Sequence, residues 1–184
     1  MVVSIVLISL IVVVSTSYGW GLFKLLTKLF NMQSVRLPRL TLIIILGMST
    51  LMWIAQLATL LFPISLGVFL VVIAGGVVLI WDFIKTEEIK INVSLPLLGW
   101  ILIALVSISI LENGSHTPIN PDTGIYHAQA IKWIESFHSV PGLGNLHTRF
   151  AFNSSWLVFN ALFSLSFLKI QSFHLVPAAL SLVA

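Results

Sequence analysis

The sequence predicts an all-α, polytopic transmembrane helix bundle with an amphipathic interfacial helix in an outer loop. Three observations predict it. Apolar residues make up 58% of the 184 and charged residues only 8%, against about 25% charged in an ordinary soluble domain, and the mean hydropathy is +1.09. The apolar residues gather in runs close to the ~20 residues that a helix needs to cross a bilayer core. One polar stretch, Glu112 to Arg149, interrupts them and holds four of the five histidines, His116, His127, His138 and His147.

Four spans are expected before the polar stretch, at about residues 2–23, 40–62, 64–84 and 95–111. The first, from Val2 to Phe23, is not a secretory signal: no basic residue precedes its apolar run, and the first charge, Lys24, lies on its far side. Phe62-Pro63 separates the second span from the third. Proline lacks the donor that a continuing helix needs, so a tight turn is expected there, or a kinked hairpin buried in the bundle. Gly75-Gly76 in the third span lets a neighbouring helix approach closely. Outer-loop residues 112–149 follow, with a surface helix over 122–138. Residues 150–184 are expected to form a fifth span, about 150–168, and the start of a sixth. The last apolar run, Phe173 to Ala184, contains Pro177 and is too short to cross. It reads as the opening of a helix in a longer protein, the alternatives being a re-entrant piece or the end of a small subunit.

Lys24, Lys28, Arg36 and Arg39 fall around one short connection, and so the net charge of +3 is a matter of position. Basic connections stay in the cytoplasm. That places the N-terminus and the 112–149 loop outside the cytoplasmic membrane, and makes the membrane lipid, not nucleic acid, the partner of the basic residues. The absence of Cys excludes disulfides and thiolate metal sites.

Asn120-Pro121-Asp122-Thr123 has the grammar of a helix start: a capping side chain, a proline suited to the first turn, and a carboxylate favoured by the helix dipole. At 100° per residue the following helix gathers Tyr126, Ala130, Ile131, Trp133, Ile134 and Phe137 on one face, with Gln129, Lys132, Glu135 and Ser136 opposite. Such a helix suits a membrane surface. Asp122 is either its cap or a general base or holder of a divalent cation such as Mg or Mn. His127 borders the same face, as an interfacial histidine or a substrate contact.

The loop from Val140 to Arg149 is rich in turns. Arg149, at the mouth of the next span, is either a snorkelling anchor or a bidentate fork for a lipid-linked phosphate. His147 would join it if the loop folds back. His116, Asp122, His127 and His147 match no standard zinc spacing. Asn153, Asn160 and Ser164 recur on one side of the fifth span, where polar residues turn toward a bundle. Asn153 is close enough to the outer surface to enter a site.

An Asp just after a membrane helix, a surface helix carrying D-x-x-x-Y-H and a return through another span resemble the first outer loop of the GT-C class of membrane glycosyltransferases. The segment from Asp122 to Trp156, within Asn120 to Ser164, is similar to that of a bacterial membrane-protein family related to this class. The resemblance implies an enzyme that takes sugar from a polyprenyl-phosphate carrier outside the membrane, in the assembly of an envelope polysaccharide or glycan. It implies Asp122 as catalytic base or metal contact and a basic residue on the carrier phosphate, for which Arg149 is the candidate; Tyr126, His127, His147 and Asn153 are the further substrate contacts expected from the residues themselves. The chain departs from the class in having three spans before the motif-bearing hairpin and few after it. By this comparison it is an N-terminal part. The competing expectation is a non-enzymatic membrane subunit (an assembly, polymerase or flippase partner) whose outer loop docks another membrane protein.

Overall fold

The computed structural model describes residues 1–31, 38–86, 95–116, 118, 120–151, 154–170 and 172–183. The regular structure among these residues is all helical, with no strand. The α-helices are α1 (Val2–Leu29), α2 (Leu40–Ala58), α3 (Leu66–Thr86), α4 (Leu97–Asn113), α5 (Ala128–Ser136), α6 (Ser155–Leu162) and α7 (Leu175–Val183). A π-helical turn, Thr123–His127, leads into α5. Three of these helices, α1, α2 and α3, are long and apolar enough to cross a membrane. With 17 residues, α4 is shorter, about 25 Å at the rise of an α-helix.

Helix α1 is the spine, packed against α2, α3 and α7. Its crossing with α2 is backbone on backbone. A Cβ placed on Gly47 would fall on the carbonyl oxygen of Ser15, and one on Gly19 would fall on that of Ile43. Only glycine permits this approach, which brings Ile43, Ile44, Met48 and Leu51 into the core beside Ile8 and Ile11. Toward α3 the contacts are polar. The Tyr18 hydroxyl donates to Val72 O at 3.0 Å, the Trp20 indole to Asp82 Oδ2 at 2.9 Å, and Lys24 Nζ to both oxygens of Asp82 at 2.8 and 2.7 Å. Trp20 also packs on Phe83, ring centroids 5.3 Å apart.

Helix α1 runs past the expected limit, Phe23, to Leu29. Lys24 and Lys28 are therefore helical residues near a C-terminus, where cations complement the helix dipole. Arg36 lies outside the described residues. Residues 59–65, around Phe62-Pro63, form the expected turn between α2 and α3. The polar segment after α4 is stitched to that turn: Ile64 N donates to Ile134 O at 2.9 Å, and Ser139 N to Thr59 O at 2.6 Å. At the same end, Ser115 Oγ meets Ser4 Oγ at 3.0 Å, bringing the start of α1 beside the end of α4.

Over residues 150–168, where one continuous helix was expected, α6 occupies only Ser155–Leu162. Its last turn closes on backbone, with Phe163 N donating to Asn160 O and Ser164 N to Ala161 O, both at 3.2 Å, and the carbonyls just past it are taken by Ser172 and not by another helical turn. Ser172 Oγ donates to Phe163 O at 2.7 Å and to Ser164 O at 2.9 Å, while Ser164 Oγ donates to Glu135. The chain then reverses through left-handed Leu165 (φ 51°) and Lys169 (φ 59°). The reversal drives α6 inward: Phe159, Leu162 and Phe163 are buried beside Val176 and Ala179 of α7.

Candidate functional site

The helix expected over 122–138 comprises the π-helical turn and α5 and ends at Ser136. Asn120 opens it: its side-chain oxygen accepts the Asp122 N–H at 2.9 Å, and its carbonyl accepts the Thr123 N–H at 3.0 Å. The Ala128 N–H then reaches back five residues to Thr123 O, so one extra residue is fitted into the turn bearing Gly124, Tyr126 and His127. Single π turns within α-helices recur at functional sites.

The apolar face of α5 is spent largely on protein. Ile131 is buried, and Ile134 packs against the same core. Trp133 stacks on Phe137 with ring centroids 5.1 Å apart. Glu135, expected on the polar side, turns to α6 and accepts from Ser164. The physical reason is local: a hydroxyl at the end of α6 supplies a donor that outward-facing water would otherwise supply.

Asp122 and Arg149, 27 residues apart, meet: Arg149 NH1 lies 2.9 Å from Asp122 Oδ1. The guanidinium lies over the Tyr126 ring, 5.0 Å from its centroid. Spacing places Asp122 and Tyr126 one turn apart, so that a single cation covers both. The contacts of His147 are local, to the backbone of Arg149 and to Phe150. Its Nδ1 accepts the Arg149 N–H at 3.2 Å, and its ring rests 5.5 Å from that of Phe150. Tyr126 in turn meets His127 edge to face at 4.2 Å. The side chains of Asp122 and Arg149 are 45% and 44% exposed, open enough to exchange partners. Asn153 lies outside the described residues.

His127 connects this charged pair to a cavity of about 530 Å³, between α4, the π turn, α6 and α7. Asn120, Thr123, His127 and Ile131 face it from one side of the helix. Asn113 of α4, Trp156 and Asn160 of α6, and Phe173 and His174 ahead of α7 complete much of its wall. A second cavity of about 350 Å³ lies across α5, lined by Trp133, Phe137, His138 and Phe150, and Leu157 stands between the two.

Among the described residues no three His, Cys, Asp or Glu side chains come close enough to hold a metal ion. The four candidate zinc ligands are divided: His116 and His127 line the larger cavity, whereas Asp122 and His147 turn to Arg149. Asp122 offers a divalent cation one carboxylate, already facing a guanidinium, and Mg or Mn would need several oxygens more. The described donors do not fit a metal.

Sequence reasoning missed His174, Trp156 and Asn113 as cavity residues. A lone His in the apolar run after Phe173 was the available signal, since an ionisable residue at membrane depth marks a candidate site. A family described as a domain of unknown function (DUF8201) matches residues 1–184. No curated protein matches the chain, and no solved structure does.

Proposed function

We propose a sugar-transfer role for this chain, which belongs to the DUF8201 family over residues 1–184. In this reading it is part of a membrane glycosyltransferase that uses a polyprenyl-phosphate-linked sugar outside the cytoplasmic membrane, in envelope polysaccharide or glycan assembly. The observation that carries the reading is the Arg149 guanidinium held by Asp122 and seated on Tyr126. An exposed pair of this kind contributes only ~0.2–1 kcal/mol to stability, too little for the fold to depend on it.

The pair suits a phosphate exchange. A carrier phosphate offers Arg149 two or more anionic oxygens, and a planar fork binds these better than one carboxylate oxygen. Tyr126 keeps the guanidinium in place while its partner changes. Asp122, released, then accepts the proton of an acceptor hydroxyl. The hydroxyl oxygen forms a bond to the anomeric carbon. The bond from that carbon to the carrier phosphate oxygen breaks, and its electron pair leaves with the phosphate, whose growing charge Arg149 balances. No metal enters the scheme. The cluster of Lys24, Lys28, Arg36 and Arg39 supports placing the site outside.

Asp122→Asn and Arg149→Ala, assayed in membranes with a radiolabelled polyprenyl-phosphate sugar, are each expected to lower transfer by ~10²-fold or more. Unchanged transfer by Asp122→Asn removes Asp122 from the mechanism. A docking role without chemistry is favoured by the exposed Ile125, Phe137 and Leu146 of the outer loop. That reading gains if Leu146→Glu releases a co-purifying membrane protein while wild-type membranes show no transfer.

A further inference from the structure

The wall of the larger cavity has an unusual chemistry for a pocket beside an ion pair. None of its lining residues among those described is Asp, Glu, Lys or Arg. Its polar groups are amides, imidazoles and hydroxyls, among them Asn113, Asn120, Asn160, His127, His174 and Thr123, each able to donate and to accept. Three amides are pre-oriented by backbone. Asn113 Nδ2 donates to Ser109 O at 2.8 Å, Asn160 Nδ2 to Trp156 O at 2.6 Å, and Asn120 Oδ1 accepts from Asp122 N. Trp156 adds an aromatic surface to the same wall.

We infer that this cavity is a subsite for a neutral sugar. Hydroxyl groups are donors and acceptors at once, as the amides and imidazoles are. The polarised C–H face of a sugar ring suits the negative face of an indole. A volume of about 530 Å³ falls within the ~300–1,000 Å³ common for small-ligand sites. An anionic or cationic sugar would lose hydration and find no counter-charge in the wall. An isoprenoid chain would cover the amides without pairing them, leaving polar groups unsatisfied.

The cavity and the charged pair share a border. His127 lines the cavity and touches Tyr126, on which Arg149 rests. A neutral ring in the cavity therefore sits next to the carboxylate proposed to take its proton. The inference rests on the sugar-transfer reading for what the bound ring does there, whereas binding itself needs only the wall.

The test is direct binding to the purified protein in lipid nanodiscs prepared without glycoside detergents. The probes are the methyl glycosides of glucose, galactose and N-acetylglucosamine, with glucuronic acid and glucosamine as charged counterparts. Saturation-transfer NMR is expected to show saturable binding of at least one neutral glycoside, and binding at least tenfold weaker for the charged sugars. His127→Leu and Asn113→Leu should each weaken it at least tenfold, while His138→Leu, in the other cavity, leaves it unchanged. Thermal unfolding establishes that each variant is folded, and Ser109→Trp, which fills the cavity from α4, is the second route to the same loss. No neutral binding, equal binding of charged sugars, or binding that survives all three cavity variants overturns the inference. Transfer activity without glycoside binding overturns the cavity alone. Glycoside binding in a protein without transfer activity overturns the transfer reading and leaves the cavity standing.

Discussion

At the scale of single residues, Asp122 stands out in the sequence as a carboxylate at a helix start and Arg149 as a charge beside an apolar run, but only the fold brings them together. Their meeting depends on the return loop from Gly142 to Ala151, whose path is set by turn geometry such as the left-handed Gly142 (φ 79°). No periodicity encodes such a path. Glu135 shows the opposite failure. Helical phase alone puts it toward water, and a hydroxyl from α6 draws it in. The ion pair makes a sharp prediction because its parts separate. Arg149→Lys keeps the charge and loses the planar fork and the stacking on Tyr126. Sugar transfer should fall at least tenfold, while the unfolding free energy changes by less than ~1 kcal/mol. A drop in stability matching the drop in activity would make the pair a structural latch.

At the scale of elements, the three long helices were legible because a run of ~20 apolar residues has few structural alternatives. Their order and the turn at Phe62-Pro63 follow the sequence closely. Helix α6 was not legible, because hydropathy measures how apolar a segment is and not where its carbonyls find donors. Just past Leu162, the carbonyls of Phe163 and Ser164 accept from the Ser172 hydroxyl and not from a further helical turn. The crossing of α1 and α2 is the element contact most exposed to a single methyl group. Gly47→Ala has no room against Ser15 O, and the helices must separate, at a cost of about 3 kcal/mol or more. Gly67→Ala is the control: a Cβ there meets nothing within 4 Å. Denaturation of both variants in detergent, followed by circular dichroism, should show a large loss for the first and none for the second.

For the whole molecule, the distribution of polar contacts defines two ends. Lys24, Trp20 and Asp82 join α1 to α3 at one. Ser4 and Ser115 meet at the other, where the polar segment around α5 also lies against the α2–α3 turn. Span parity had put the N-terminus and the polar loop on one side, and these contacts are the long-range counterpart that no sequence window could contain. Since the chain has no cysteine, the arrangement can be tested cleanly. The double variant Ser4→Cys, Ser115→Cys should crosslink on mild oxidation, read as a reducible mobility shift, because the two hydroxyl oxygens are 3.0 Å apart. Either single variant in intact cells should react with a membrane-impermeant maleimide if this end faces outward. Failure to crosslink would separate α1 from α4, and labelling only after lysis would reverse the orientation.

The extra residue in the turn Thr123–His127 has a consequence for how such a site tolerates length changes. Deleting Gly124, whose position has open space around it, should let the segment close into a regular helix, with stability kept or raised by up to ~1 kcal/mol since a helical glycine is removed. The same deletion rotates everything before it by about 100° relative to Ile131. Asp122 would then swing away from Arg149 while the rest of the bundle stays as it was. A folded, thermally intact protein without sugar transfer is the expected phenotype, a loss through phase instead of through chemistry. Transfer at wild-type levels in the deletion variant would show that the angular setting of Asp122 is immaterial.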